Sequence, residues 1–279
     1  MADDHPASDA NPTTRRARVL VTNDDGVGSA GIVALARAIH AQGHDVRVVA
    51  PATDLSGAGA SIGPLHRGEP IPISTREWAD LPGVPVIAIE RPPATAVYLA
   101  CAGAFGEIPD VVASGINPGG NTGHLVLHSG TVGAALTAAG LGVSALAVSL
   151  AWAGDDEYQW EAAATLATHA LDWVLSEPAP RVLNMNVPNR PIAEIRGIRD
   201  ATLAAYGEFW VASADLRDGD IRMEFSGSER VADPHSDESL LADGYATVTP
   251  LAGVVAAPLK GAAHAVDNAW RRTTPVTST

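Results

Sequence analysis

Two aspartates in succession, Asp24 and Asp25, follow a short apolar run and precede Gly26. If that run is a strand of an open α/β sheet, both carboxylates face the crevice beyond the carboxyl ends of the strands, where such sheets bind ligands. Two adjacent carboxylates repel each other unless a cation lies between them or one of them holds a proton. The pair therefore predicts a cation site. The alternative is that Asp24 caps the next helix and Asp25-Gly26 forms a turn.

Neutral oxygen donors occur at two later points in the chain. Ser56 follows the second apolar run, and Asn117 and Asn121 lie in the glycine-rich stretch 114–123. Together with the two aspartates, Ser56 and Asn117 form an all-oxygen ligand set, which suits Mg²⁺ or Mn²⁺ and is poor for Zn²⁺. The sequence therefore predicts one such ion per subunit. The amides of Asn117 and Asn121 can also hold a phosphate, so both are predicted substrate contacts as well. An ordinary surface loop is the alternative interpretation of residues 114–123.

The tripeptide Ser129-Gly130-Thr131 opens a predicted helix and offers an anion site. The first N–H groups of a helix have no intrahelical partner and lie at the positive end of its dipole, so they can bind phosphate without a lysine. A basic side chain is not available in this part of the sequence, since no Lys or Arg occurs between Arg91 and Arg181. Ser129 also fits the N-cap position, and the two roles are compatible.

His128 precedes Ser129, which raises the question of a serine nucleophile. Adjacent residues seldom direct their side chains at each other, and no third residue is placed to orient the imidazole. We therefore interpret His128 as a substrate contact or an exposed loop residue.

Gly26, Gly28 and Gly31 form a G-x-G-x-x-G pattern between a predicted strand and a predicted helix. That pattern occurs in dinucleotide-binding folds, but here the pyrophosphate would lie beside two uncompensated aspartates. The acid expected at the end of the second strand is also missing, because that strand ends Val49-Ala50-Pro51. A dehydrogenase therefore ranks well behind a metal-dependent enzyme. A Walker phosphate loop is excluded, because the only lysine, Lys260, stands outside the motif.

From residue 18 onward, short apolar runs alternate with helical stretches. Near-continuous Val, Ile and Leu runs that alternate with helices are typical of a parallel sheet covered on both faces. We therefore predict an α/β fold with a Rossmann-like, mostly parallel sheet. The predicted strands are residues 18–22, 45–50, 84–89, 110–113, 144–150 and 181–187, and the predicted helices are residues 29–42, 94–104, 130–139 and 161–175.

The pattern changes after Pro188, where polar alternation predicts a C-terminal antiparallel β arm followed by a helix near residues 262–270. The predicted organisation is a disordered leader at residues 1–17, a Rossmann-like core at residues 18–190, and the arm with its final helix at residues 191–279.

The composition limits the partners and the compartment. With 18 Lys and Arg against 32 Asp and Glu, the formal net charge is −14, so we expect no nucleic-acid partner. The single Cys101 excludes an internal disulfide and indicates a reducing compartment, for which we predict the cytoplasm. The uncharged stretch 132–154 is long enough to cross a bilayer, but its glycines and serines dilute the hydrophobicity, so we expect no membrane association.

The same residues occur, in the same order, in a known family. The chain resembles the SurE family (survival protein E) of metal-dependent 5′/3′-nucleotidases over about residues 18–251. The resemblance implies a C-terminal β arm that exchanges between the subunits of a homodimer or homotetramer. It also implies two sets of site residues: Asp24, Asp25, Ser56 and Asn117 bind the divalent metal, and Asn121, Ser129, Gly130 and Thr131 lie around the phosphate. The matching segments are Val21-Thr22-Asn23-Asp24-Asp25-Gly26 with Gly31, Val49-Ala50-Pro51, Ser56-Gly57-Ala58, Ser114-Gly115-Ile116-Asn117, Asn121, Gly123, Ser129-Gly130-Thr131-Val132, Asn184-Met185-Asn186-Val187-Pro188, Gly244-Tyr245 and Thr249-Pro250-Leu251.

Departures from the family pattern are clustered at residues 90–96, residues 123–128 and Thr137, whereas the metal ligands are retained. We therefore predict a divalent-metal-dependent phosphomonoesterase that acts on a nucleoside monophosphate or a related small phosphate ester. Its catalytic residues are expected to be Asp24, Asp25 and Asn121. The departures favour a specialised, non-nucleotide leaving group such as that of a sugar phosphate. The alternative is a non-catalytic nucleotide- or metabolite-binding protein on the same scaffold.

Overall fold

The computed structural model of the chain describes residues 16–154, 156–178, 180–205, 210–217, 219–226, 233–255 and 260–273. Most of the predicted leader therefore lies outside the described residues. Of its last two residues, Ala17 is buried, and its N–H donates to His44 Nδ1 at 3.2 Å.

The centre of the molecule is a nine-stranded sheet. The described strands are β1 (Arg18–Thr22), β2 (Asp45–Pro51), β3 (Ile73–Arg76), β4 (Val86–Ile89), β5 (Val111–Pro118), β6 (Ser144–Leu150), β7 (Val182–Val187), β8 (Ile198–Asp200), β9 (Trp210–Arg217), β10 (Asp220–Ser226) and β11 (Ala246–Leu251). The strand order in the sheet is β3-β4-β2-β1-β5-β6-β7-β11-β8. Six neighbouring strands are mutually parallel, namely β4, β2, β1, β5, β6 and β7. Strand β3 runs antiparallel to β4, and β11 runs antiparallel to β7. The predicted α/β fold with a mostly parallel sheet is confirmed.

Helices cover both faces of the sheet. The described α-helices are α1 (Ala30–Ala41), α2 (Pro93–Cys101), α3 (Gly130–Gly140), α4 (Trp160–Ser176), α5 (Asp237–Ala242) and α6 (Ala262–Thr273). Helices α1 and α4 pack on one face, and α2 and α3 pack on the other. Side chains along β1 alternate between the two resulting clusters, with Val19 and Val21 in the first and Leu20 in the second. This two-sided burial explains why the strands are almost wholly apolar. The sequence patterns do not predict β3 or α5, because both are too short to show a clear period.

Strand β5 continues through residues that the sequence analysis assigned to a loop. Pairing with β6 resumes at Asn117 after a register shift that follows Ser114. Gly115 makes this possible, because its φ of +135° favours glycine and a Cβ there would lie 2.3 Å from Val148 O. The strand therefore carries Asn117 itself to the carboxyl edge of the sheet.

Part of the predicted arm belongs to the main sheet. Strand β11 pairs with β7, and β8 pairs with β11, so residues 198–200 and 246–251 extend the core sheet beyond the boundary placed at residue 190. Strands β9 and β10 form a separate antiparallel hairpin. The exchange of this segment between subunits stays a prediction.

No helix within the described ranges is long and apolar enough to span a bilayer. The uncharged stretch 132–154 is not one helix, because it contains most of α3 (Gly130–Gly140) and all of β6 (Ser144–Leu150).

Helix α1 packs closely against β5 at Gly31, in the first turn of the helix. A Cβ at Gly31 would lie 2.0 Å from Ile116 O, whereas a Cβ at Gly28 would have nothing within 4 Å. We expect Gly31→Ala to lower the free energy of unfolding by about 1–3 kcal/mol or more, because overpacking displaces β5 next to Asn117. The control, Gly28→Ala, should stay within about 0.5 kcal/mol of the parent in urea denaturation. Equal stability of the two variants would contradict the close packing.

Candidate active site

Asp24 lies at the carboxyl end of β1 and is only 3% exposed. Its Oδ2 accepts a hydrogen bond from the Gly130 N–H at 3.1 Å, and its Oδ1 accepts one from the Thr131 hydroxyl at 2.6 Å. A side chain at Gly130 could not be accommodated, because a Cβ there would lie 2.6 Å from Asp24 Oδ2. The start of α3 is thus packed directly on this carboxylate. The Gly130 N–H, which was expected to face phosphate, donates to Asp24 instead.

Asn117 joins this group from β5. Its Nδ2 donates to Gly119 O at 2.7 Å, which leaves Oδ1 on the side of Thr131, with 3.4 Å between Oδ1 and the threonine Oγ1. Because the same Thr131 oxygen contacts Asp24, the structure brings the predicted ligand oxygens of Asp24 and Asn117 close together.

Asp25 and Asp54 add further negative charge beside Asp24. Burial raises the pKa of Asp25 to about 7, and the neighbouring charges of Asp24 and Asp54 contribute to the shift. Burial also raises the pKa of Asp24, although its hydrogen bonds from Thr131 and Gly130 oppose this change. Three acids at one crevice, two of them with raised pKa values, form an anionic site that a cation would stabilise.

The loop after β2 carries Ser56 to this region. The Leu55 N–H donates to Asp24 O at 2.8 Å, which ties the loop to β1. Asp54 Oδ1 accepts hydrogen bonds from the Ser56 N–H at 2.8 Å and from the Ser56 hydroxyl at 2.6 Å. The exposed Ser56 hydroxyl is therefore oriented by Asp54, a residue to which the sequence analysis gave no role. The order Asp54-Leu55-Ser56 could have indicated this role, since an aspartate side chain often accepts a hydrogen bond from the backbone N–H two residues later.

The donors fit a hard divalent cation. Within the described ranges, no group of three or more His, Cys, Asp or Glu side chains could by itself hold a metal ion. The expected set instead combines two carboxylates with an amide and a hydroxyl, all of them oxygen donors, which suits Mg²⁺ or Mn²⁺. Asn23 Oδ1 adds a buried oxygen that has no hydrogen-bond partner among the described residues. The residues present therefore fit the ion that the family resemblance implies.

Asn121 is buried and is held by three residues of neighbouring strands. The Asn186 amide accepts from the Asn121 N–H at 2.8 Å and donates to the Asn121 O at 3.1 Å, and Asn184 Nδ2 donates to the same oxygen at 2.9 Å. The Asn121 Nδ2 donates to Ser149 Oγ at 2.8 Å. The positioning roles of Asn184 and Asn186 were not predicted from the sequence. Their spacing of two in a strand, which puts both on one face, was the available signal.

Asp237 in α5 connects the C-terminal region to the same loop. Its Oδ2 accepts from the Gly123 N–H at 2.9 Å, and its Oδ1 accepts from the Ala204 N–H at 2.9 Å. Burial raises the pKa of this carboxyl despite these bonds. Asp237 was also missed, because nothing local in the sequence relates it to residue 123.

Ser129 and His128 do not form a catalytic pair. Ser129 Oγ accepts from the Val132 N–H at 3.1 Å, which is the N-cap role. The His128 side chain is exposed, and its carbonyl oxygen accepts from the Gly59 N–H at 3.1 Å. Within the described residues, no hydrogen bond joins the imidazole to Ser129.

Several departures from the family pattern have a structural role. Ala94 and Ala96 are fully buried at the start of α2, and the Thr137 hydroxyl donates to Gly133 O at 2.7 Å within α3. These positions contribute to core packing and to the helix. The expectation of a specialised leaving group depends on the remaining departures, which include Arg91 and His128.

The chain is similar to proteins of one known family. The family model described as "Survival protein SurE" matches residues 19–208. The chain belongs to the SurE family. A protein named 5′-nucleotidase SurE from Stenotrophomonas maltophilia is 34% identical over 239 residues, which cover 84% of this chain and 89% of that protein. Its counterpart in Xanthomonas campestris is 35% identical over 239 residues with the same coverage. The crystal structure of a SurE protein from Aquifex aeolicus aligns with a TM-score of 0.69 at 29% identity, over 92% of this chain and 99% of that one.

The raised pKa of Asp25 predicts a pH-dependent stability of the metal-free protein. The folded-state pKa of about 7 lies above the unfolded value of 3.8, so the stability that the protonated carboxyl permits is lost as pH rises from about 4 to about 7. We expect Asp25→Asn in chelator to match the parent at pH 4 and to exceed its Tm by roughly 2–4 °C at pH 8, or about 1 kcal/mol. Scanning calorimetry at both pH values measures this difference.

Asp24→Asn is the matched control for that measurement. Asp24 accepts hydrogen bonds with both oxygens, and an amide keeps only one acceptor, so this variant should show no gain in Tm. A Tm difference for Asp25→Asn that does not change with pH would contradict the raised pKa.

Proposed function

We propose that the chain is a divalent-metal-dependent phosphomonoesterase that hydrolyses a nucleoside monophosphate or a related small phosphate ester. The convergence of Asp24 and Asn117 on the Thr131 hydroxyl, at the first turn of α3, carries this proposal. It places oxygen donors for a cation beside a helix start suited to an anion. The family membership supports the same reaction, since the relatives are named 5′-nucleotidases.

The proposed chemistry divides between metal ligands and phosphate contacts. Asp24, Asp25, Ser56 and Asn117 would hold Mg²⁺ or Mn²⁺. When bound, such an ion withdraws charge from a phosphoryl oxygen and lowers the pKa of a bound water. Asp25 is better placed than Asp24 to accept the proton of the attacking water, because both Asp24 oxygens already accept hydrogen bonds.

Residues of α3 and the loop before it hold the phosphate in this proposal. The Gly130 N–H is engaged by Asp24, so the Thr131 N–H, for which no acceptor is found among the described residues, contacts the phosphoryl oxygens. Asn121 and the exposed His128 lie in the loop before α3, and the Asn121 Nδ2 has a second hydrogen to donate beside the one bonded to Ser149 Oγ. The side-chain amides of Asn184 and Asn186 fix the position of Asn121.

Metal dependence is the first test of this function. Chelator should abolish phosphate release from 5′-AMP, and added Mn²⁺ or Mg²⁺ should restore it, because no lysine or arginine stands in for the cation between residues 91 and 181. Asp24→Asn should lose about 10²-fold or more in kcat/KM, in the range found when a charge-stabilising group is removed. The control is Asp110→Asn, which should retain activity because Asp110 precedes β5 at its amino end, whereas the candidate site lies at the carboxyl ends of the strands. Full turnover in chelator would refute the metal-dependent reaction. Metal-dependent ligand binding with no turnover would favour the non-catalytic alternative.

We further propose that the protein is a cytoplasmic homodimer or homotetramer that assembles through the β9–β10 hairpin. Leu216 is 79% exposed, Ile221 67% and Met223 55%, so the hairpin displays an apolar surface with no described partner within the chain. Such side chains are typical of a subunit contact. The single Cys101 supports the reducing compartment.

Substituting the hairpin tests the assembly. Leu216→Asp combined with Ile221→Asp should lower the mass measured by light scattering, because charges would replace buried apolar side chains at the contact. Ile73→Asp, at an exposed position of the edge strand β3, is the control and should leave the mass unchanged. An unchanged oligomer in the hairpin variant, or a monomeric parent, would contradict the proposal.

A further inference from the structure

A cavity of about 330 Å³ opens beside the candidate active site, at the carboxyl ends of β2 and β4. Its lining includes Thr53 and Leu55, which belong to the loop that also carries Ser56, and Arg91 and Pro92, which follow β4. The cavity therefore adjoins the loop that carries one of the predicted metal ligands.

The loop that carries Thr53 and Leu55 lies against residues 24–26. The Leu55 N–H donates to Asp24 O at 2.8 Å. A Cβ at Gly26 would lie 3.3 Å from the Thr53 carbonyl carbon, so the backbones of the two loops are in close contact. The charge of Asp54, between the two lining residues, also contributes to the raised pKa values of Asp24 and Asp25.

Arg91 brings a positive charge to the cavity that no described carboxylate neutralises. Its Nη1 donates to the backbone oxygen of Glu90 at 2.8 Å, and its Nε has no hydrogen-bond partner among the described residues. None of the ion pairs found within the described ranges includes this guanidinium. The side-chain stem passes Gly63, where a Cβ would lie 3.6 Å from Arg91 Cδ. The stem therefore lies close to the backbone of Gly63, and most of the five guanidinium donors have no hydrogen-bond acceptor among the described residues.

The rest of the lining is neutral except for Glu90. The neutral residues are Thr53, Leu55, Pro64, Ile89 and Pro92. Glu90 is exposed, and its backbone oxygen rather than its carboxylate contacts Arg91. Helix α2 begins at Pro93, next to the lining residue Pro92, so the positive end of its dipole adds to the charge of the arginine. An anionic group is the ligand that this combination favours.

We propose that Arg91 binds a second anionic group, a carboxylate or a phosphate, on the leaving group of the substrate. The inference rests on the proposed phosphomonoesterase function, because the first anion is the ester phosphate at the metal site. A guanidinium binds either group through two parallel hydrogen bonds, which gives both affinity and orientation. The enzyme then prefers small phosphate esters that carry two anions over esters with a neutral leaving group.

Two esters with one three-carbon skeleton provide the test. 3-Phosphoglycerate carries a carboxylate where glycerol 3-phosphate carries a hydroxymethyl group. In the metal-loaded protein, Arg91→Met keeps most of the stem over Gly63. If the second group is a carboxylate, this variant should weaken the affinity for 3-phosphoglycerate, and its kcat/KM, by about 10- to 100-fold. Values for glycerol 3-phosphate should not change. Arg67→Met removes the same charge from an exposed arginine and should affect neither ester.

A second pair of probes distinguishes the two anions. 5′-AMP and adenosine 3′,5′-bisphosphate differ by one phosphate on the leaving group. A loss on Arg91→Met that is confined to the bisphosphate identifies a phosphate as the second group, and one confined to 3-phosphoglycerate identifies a carboxylate.

Affinities measured by calorimetry separate failure of the inference from failure of the proposed function. If Arg91→Met loses the same affinity for both members of each pair, Arg91 acts on the ester phosphate and the inference is wrong. The inference is also wrong if the variant loses no affinity for any of the four esters. If the parent hydrolyses none of the four esters but Arg91→Met selectively weakens binding of a dianionic one, the phosphomonoesterase proposal fails and the Arg91 site stands.

Discussion

The arrangement of the site depends on the burial of one carboxylate, Asp24. A buried anion is destabilising unless hydrogen bonds or an opposite charge compensate it. Here the Gly130 N–H and the Thr131 hydroxyl supply two hydrogen bonds, and the positive end of α3 lies against the same group. Burial, together with the neighbouring charges of Asp24 and Asp54, raises the pKa of Asp25 to about 7. None of the ion pairs found within the described ranges includes Asp25 or Asp54. The fold thus holds an anionic cluster with no ion-pair partner among the described residues, which is the physical basis for the proposed cation at the carboxyl ends of the strands.

Glycines permit the close contacts that this cluster needs. Helix α3 can reach Asp24 only because residue 130 has no Cβ, and α1 can approach Ile116 only because residue 31 has none. The first contact fixes the carboxylate, and the second fixes the strand that carries Asn117. The G-x-G-x-x-G pattern therefore has a packing explanation at its last glycine, and no dinucleotide is needed to account for it. A G-x-G-x-x-G pattern favours a dinucleotide site only where no acidic residues lie beside it, and here Asp24 and Asp25 do.

The sequence predicted the parts of this structure that depend on local pattern. The parallel strands and the five longer helices follow from period and composition, and motif order identified the oxygen-donor residues as candidate ligands. The continuation of β5 to Pro118 was missed because it depends on the contact of Gly115 with Val148 O, which is a property of the neighbouring strand. Asp54 was read only as part of a loop, although it orients Ser56. Local patterns identify candidate ligands, whereas the side chains that orient them become visible only when distant strands are paired.

The C-terminal region shows the same dependence on distant pairing. Its strand β11 pairs antiparallel with β7, and the register places Thr249 opposite Asn184 and Thr247 opposite Asn186. Those two asparagines hold the backbone of Asn121, and Asp237 holds the next part of the loop through Gly123. Removing all residues after 190 would therefore remove the support of Asp237 for the loop at residues 121–123 as well as the strand paired with β7. Residues 198–200 and 246–251 act as part of the core, whereas the described strands of the hairpin, β9 and β10, pair with each other and not with the main sheet. For this reason, substitutions confined to that hairpin can test assembly without disturbing catalysis.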